Sequence, residues 1–257
     1  MDSRKHILVT NDDGIDSYFL QVLVAALVKD FRVTVAAPMG ERSLIGRAFS
    51  RHTEVHFAEN EQYPCKAYAL DGTPSDCVNI ALGRLIHDDR PDLVCSGINV
   101  GFNACAPLIF SSGTIAGALE GAAWGLPAIA LSHYIPNAEY EVLRLNHGRA
   151  EGEMDTSLRQ AAELARGYVA KHVNEPVEGL IVHNYNFPGR TAADSKMEQT
   201  EPSPFTMQPV FDWSGPASFA FKYADNQPHT EGAYDWDCLM RGNISYTRLD
   251  FGRVGKM

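Results

Sequence analysis

Within its first forty residues the chain passes from a short apolar run to a helix-spaced segment and back to an apolar run. No other feature narrows the possible folds as much. Ile7-Leu8-Val9-Thr10 reads as a buried strand. Leu20, Leu23, Val24 and Leu27 recur at helical spacing, which predicts an amphipathic helix over residues 17–29. Residues 32–37 are β-branched and apolar, a second strand closed by Pro38. Strand, helix, strand in that order is a βαβ unit, with parallel pairing and a right-handed crossover. The alternation goes on. A helix over 74–86 starts at Pro74, where the missing N–H costs little. A strand at 93–96, a helix at 114–124, a strand at 128–131, a helix at 156–172 and a strand at 180–182 follow. The predicted fold class is α/β: a Rossmann-like, doubly wound, mostly parallel sheet in three αβα layers.

After about Asn186 the pattern changes. Residues 187–235 are rich in Pro, Ser, Asp and Gly, with scattered aromatics at Phe205, Phe211, Trp213, Phe219 and Phe221. This predicts an extended C-terminal β-hairpin or arm rather than another βαβ unit. The expected organisation is a single domain over 1–257, with a core to about 188 and an oligomerisation arm over about 189–257. Exposed arms exchange between subunits, so an oligomer is expected. The net charge of −10 argues against a broad nucleic-acid surface. Five cysteines, odd in number and widely spaced, make no C-x-x-C pair and point to a reducing compartment. No signal-peptide pattern or membrane-length apolar stretch is present, so the expected location is the cytoplasm, with no membrane partner.

In open α/β sheets ligands bind beyond the carboxyl ends of the strands, so the segments that follow each strand are the place to look for a site. They are Asn11-Asp12-Asp13-Gly14, Gly40-Glu41-Arg42-Ser43, Ser96-Gly97-Ile98-Asn99 running on to Asn103, and Ser111-Ser112-Gly113-Thr114. Two neighbouring carboxylates leaving a buried strand repel each other unless a cation or donors balance them. Ser43 and Asn99 offer oxygens of the kind a hard divalent ion accepts. An N-cap at Asp12 with a turn at Asp13-Gly14 is the plainer reading of that tripeptide alone. Ser112-Gly113-Thr114 opens a helix, where free N–H groups suit phosphate, although an ordinary cap looks the same. Capping equally explains residues 71–77. The nine histidines show no H-x-x-x-H or H-E-x-x-H spacing, so a zinc hydrolase has no support, and neither a dinucleotide fingerprint nor a P-loop occurs.

These segments, taken in order, resemble the SurE nucleotidases. The resemblance is carried by residues 7–14, Ala37-Pro38 with Glu41-Arg42-Ser43, residues 72–78, Ser96-Gly97-Ile98-Asn99 with Gly101 and Asn103, and residues 112–121. It implies a divalent cation, Mg²⁺ or Mn²⁺ with Ca²⁺ able to occupy the site, held by Asp12, Asp13, Ser43 and Asn99. It implies phosphate contacts from Asn11, Asn103, Ser112, Gly113 and Thr114, with Asp12, Asp13 and Asn103 as the catalytic group. The implied substrates are nucleoside 5′- or 3′-monophosphates and short polyphosphate, and the implied assembly is a homodimer or homotetramer with exchanged C-terminal arms. Departures from the family pattern lie at 104–111, where Cys105, Ala106 and Pro107 stand, and at Ser245-Tyr246-Thr247-Arg248-Leu249 with Gly252, Arg253 and Lys256 beyond. They leave the general acid unassigned. A nucleotide-binding or regulatory protein without turnover is the competing reading. A covalent aspartyl phosphate is disfavoured because the first strand ends in adjacent aspartates, not Asp-x-Asp.

Overall fold

The computed structural model describes residues 3–204, 206–222 and 232–253; Phe205 and Lys256 lie outside them. In chain order the elements begin with β1 (His6–Thr10), α1 (Tyr18–Leu27), β2 (Arg32–Pro38), β3 (Phe57–Glu59) and β4 (Lys66–Leu70). Helix α2 (Pro74–Ile80) runs into a π-helical turn at Ala81–Leu85. Then come β5 (Leu93–Val100), α3 (Ala106–Ser111), α4 (Gly113–Ala123), β6 (Ala128–His133), α5 (Asn137–Leu145) and α6 (Gly152–His172). The chain closes with β7 (Ile181–Phe187), β8 (Met197–Gln199), β9 (Phe211–Gly215), β10 (Ser218–Phe221), α7 (Asp235–Met240) and β11 (Ile244–Asp250).

Nine strands form one sheet in the order β3-β4-β2-β1-β5-β6-β7-β11-β8. The six strands from β4 to β7 in that order are mutually parallel, while β3 and β11 run antiparallel to their neighbours β4 and β7. Helices α1 and α6 pack together on one face, over a core that includes Phe19, Leu23, Leu158 and Val169. On the other face α2 and α4 pack together, over Leu8, Leu70, Val78 and Val94 beside one and Ile115 and Ala130 beside the other. The fold is the expected three-layer α/β sandwich. From β1 the chain winds toward β2 and β4, then returns to place β5 on β1's other side, so the topological switch point lies between β1 and β5.

Several predicted bounds are corrected. Helix α1 buries Phe19 and Val22 as well as the expected stripe, because α6 covers what would otherwise be its wet face. The helix expected over 74–86 stays α-helical only to Ile80. Strand β5 continues past Ser96 to Val100 through a register shift between Ser96 and Asn99, so the presumed loop residues are a strand end. Helix α6 starts at Gly152, four residues before the predicted start, and β7 runs to Phe187. The segment after 188 divides in two. Strands β8 and β11 extend the main sheet, because Ile244, Ser245, Thr247 and Leu249 are buried there. Only β9 and β10 form a separate two-stranded hairpin.

Candidate active site

Four segments meet at the switch point. Asp12 is the second residue past β1, and its carbonyl accepts from the Arg42 N–H at 2.6 Å, which docks the 40–43 turn against it. The Thr114 hydroxyl, at the start of α4, donates to Asp12 Oδ1 at 2.7 Å. A β-carbon on Gly113 would lie 2.8 Å from the Asp12 β-carbon and 2.9 Å from Asp12 Oδ2, so only glycine lets the helix start come this close. Across the crevice, the Val100 N–H at the end of β5 donates to Asp13 Oδ2 at 3.0 Å. Asp13 stands at the wall of a cavity of about 120 Å³ whose lining also includes Gly40, Glu41, Val100, Tyr140 and His147.

Burial pushes Asp12 up to about 6, against the hydrogen bonds of the Thr114 hydroxyl and of the backbone N–H groups of Asp12 and Thr114. Asp13 is raised well above the usual carboxylate range, first by burial and then by the charge of Asp12, with Glu41 adding to it. No basic side chain is among the causes acting on either carboxyl. Two desolvated carboxylates with no cationic partner among the described residues form a donor set that a divalent cation fits, because hard ions take carboxylate, amide and hydroxyl oxygens. Nearby, the Asn11 amide oxygen and the Ser96 and Thr10 hydroxyls are buried without a hydrogen-bond partner.

The chain matches the model of the family described as Survival protein SurE over residues 7–209. It belongs to the SurE family. Among curated relatives, 5′-nucleotidase SurE of Myxococcus xanthus (strain DK1622) is 35% identical over 232 residues, covering 90% of this chain and 76% of that one. The relative of the same name in Natronomonas pharaonis is 36% identical over 198 residues, 77% of this chain and 72% of that one. The crystal structure of the SurE protein from Aquifex aeolicus superposes with a TM-score of 0.75 at 27% identity, covering 98% of this chain and 96% of that one.

Within this SurE fold the other expected residues occupy distinct settings. Ser43 is half-buried and donates to Glu41 Oε1 at 2.8 Å. Asn99 is half-buried and sits one residue before Val100, near the end of β5. Asn11 donates to the Gly14 carbonyl at 2.9 Å and shapes the turn that carries the aspartates. Ser112 caps α4, its hydroxyl oxygen accepting from the Ile115 N–H at 3.0 Å. Thr114, expected on the phosphate, donates its hydroxyl to Asp12. Asn103 is buried, and its side-chain amide donates to Ser132 Oγ at 2.7 Å. Its backbone is gripped by Asn186, which accepts from the Asn103 N–H at 2.7 Å, and by Asn184, which donates to the Asn103 carbonyl at 2.8 Å. Sequence reasoning missed Asn184 and gave Asn186 no role in the site; the polar Asn-Tyr-Asn inside an apolar strand was the available signal. In segment 71–77 the plain capping reading holds: Thr73 and Asp76 make a reciprocal capping box at the start of α2.

Proposed function

We propose that this chain is a metal-dependent phosphomonoesterase that hydrolyses nucleoside 5′-monophosphates, with 3′-monophosphates and short polyphosphate as further substrates of the same site. The observation that carries this reading is the pair of desolvated, uncompensated carboxylates at the switch point of a SurE-family sheet, facing the N-terminus of α4. The curated relatives named 5′-nucleotidase SurE support it and weigh against binding without turnover.

Asp12, Asp13, Ser43 and Asn99 would hold the cation, Mg²⁺ or Mn²⁺, with Ca²⁺ an acceptable occupant. When bound, it supplies Lewis-acid polarisation of the phosphoryl group and orients the attacking water. The protein's own part is positioning. Thr114 and the Val100 N–H fix the two carboxylates before any ligand arrives. Ser112 and Gly113 lie at the N-terminus of α4, the positive end of its dipole, where developing phosphate charge is stabilised. Asn11 and Asn103 would contact the phosphate, and the network from Ser132, Asn184 and Asn186 holds Asn103 in one orientation for that role. Asp12 is bonded to Thr114 and flush against Gly113, which favours direct attack by water over an aspartyl phosphate.

The chain acts as one domain and assembles as a homodimer or homotetramer through an exchanged arm. The hairpin of β9 and β10 supports this, since Phe211, Trp213 and Phe219 on it are all more than half exposed and it pairs with no strand of the main sheet. Cytoplasmic residence accords with five unpaired cysteines, and among the described residues no helix is long and apolar enough to cross a membrane.

The test is release of inorganic phosphate from a panel of nucleoside monophosphates with Mn²⁺ or Mg²⁺, with EDTA, and with Asp13→Asn. Release that needs the metal and vanishes in the folded variant is expected. No release under any metal would overturn the enzyme reading.

A further inference from the structure

Far from the switch point, at the amino ends of the parallel strands, two buried histidines converge on one carboxylate. His172 is the last residue of α6, Glu175 follows in the loop, and His183 is the third residue of β7. The Nδ1 of His172 lies 2.7 Å from Glu175 Oε2, and the Nε2 of His183 lies 3.4 Å from the same oxygen. The two rings stack with centroids 3.7 Å apart. Ligand atoms from all three side chains fall within 4.8 Å of one another, and this is the one such His/Cys/Asp/Glu group found among the described residues.

The outward nitrogens are also engaged. His172 Nε2 pairs with the Tyr185 hydroxyl at 2.8 Å, and His183 Nδ1 with the Tyr246 hydroxyl at 2.9 Å. A metal-binding imidazole uses its second nitrogen in this way, which fixes the tautomer and aims the first nitrogen at the ion. Beside Glu175 and His183 a cavity of about 150 Å³, bordered also by Pro127, Val177 and Arg248, leaves room for a fourth ligand.

We propose that His172, Glu175 and His183 form a second metal site, selective for Zn²⁺ or a similar imidazole-preferring ion, with water in the fourth position. Two imidazoles and one carboxylate suit tetrahedral zinc, whereas Mg²⁺ and Ca²⁺ ask for an all-oxygen shell. The ion would tie the end of α6 to β7, and through Tyr246 to β11. Its two histidines come from a helix end and a strand, so no local H-x-x-x-H spacing announces it. The inference is independent of the nucleotidase reading.

The experiment uses full-length, tag-free protein carrying Asp12→Asn and Asp13→Asn, so that the switch-point carboxylates contribute no binding. Zn²⁺ is titrated against a chromophoric chelator, and Co²⁺ is added separately to record its visible absorption. One Zn²⁺ per chain and a four-coordinate Co²⁺ spectrum are expected. Adding Glu175→Gln, at a half-exposed position that leaves the fold intact, should abolish both, and Tyr246→Phe should weaken Zn²⁺ roughly 10- to 100-fold. Absence of bound Zn²⁺ in the parent, or stoichiometric Zn²⁺ unchanged by Glu175→Gln, would overturn the site.

Discussion

Asp12 and Asp13 set two like charges side by side in an interior that disfavours either one alone, and this arrangement has a cost to the metal-free protein. Both folded carboxyls titrate above their unfolded values, so the folded state prefers the proton. The penalty is absent below about pH 4, where both states are protonated, and it develops as pH rises through about 6. Replacing Asp13 with Asn should therefore stabilise the apo-protein at pH 7.5 by roughly 1–3 kcal/mol while phosphate release is lost. Urea unfolding in EDTA at pH 7.5 and at pH 4 measures this, and the gain should shrink at the lower pH. A variant less stable than the parent at both values would show that the pair is compensated within the chain. At the same scale, the aspartates were legible because adjacent acids after an apolar run are chemically conspicuous. The contact of Thr114 with Asp12 was not legible. A hydroxyl at a helix start serves a phosphate or a neighbouring carboxylate equally well, and only packing brings it 2.7 Å from Asp12.

Helix α4 approaches the sheet along a face of glycines spaced four apart. A β-carbon on Gly117 would lie 2.8 Å from the Thr10 side chain, and one on Gly121 would lie 2.5 Å from Val94. Gly113, the first of the row, meets Asp12 itself, so under the proposed function this close approach sets the site as well as the packing. Gly113→Ala should leave the far-ultraviolet circular dichroism unchanged, because the helix buries the same face. It should lower kcat by about 10²-fold, since displacing Asp12 by about an ångström disturbs everything aligned to it. An unchanged kcat would mean that the contact relaxes without moving the carboxylate. Elements with a clear period, such as β1, β2, β6 and α4, were readable in the sequence. Those without one were not: β3 is exposed throughout, and α3 and α7 are too short to express a 3.6-residue repeat. Strand β5 was cut short because glycine reads as a break, yet Gly97 carries the strand onward at φ 128°, where an added β-carbon would lie 2.2 Å from the Leu131 carbonyl oxygen. The network around Asn103 was hidden for a related reason: Asn184 and Asn186 lie inside a buried strand and are matched to partners remote in sequence.

For the whole molecule, the exposed aromatic hairpin is the feature that a lone subunit leaves unexplained. Trp213 and Phe219, 71% and 58% exposed, pack against each other as a tilted pair at 4.3 Å between ring centroids. If the hairpin carries the assembly, Trp213→Ser with Phe219→Ser should reduce the oligomer seen by light scattering after size exclusion. The melting temperature of the subunit core should stay within a few degrees, because surface changes away from the core cost little. An oligomer of unchanged mass would place the interface elsewhere. The sheet itself is completed out of order. Strand β11, the last to appear in the chain, lies between β7 and β8 and pairs with β7 along residues 245–250. On the ribosome, β7 therefore emerges well before its partner has been translated, and it presents an unpaired edge from a strand destined to be fully buried. Until residues 244–250 arrive, the nascent chain is an aggregation hazard and a natural client for chaperones. A premature stop upstream of β11 would release a polypeptide with both candidate metal-binding carboxylates in place and a raw sheet edge beside them.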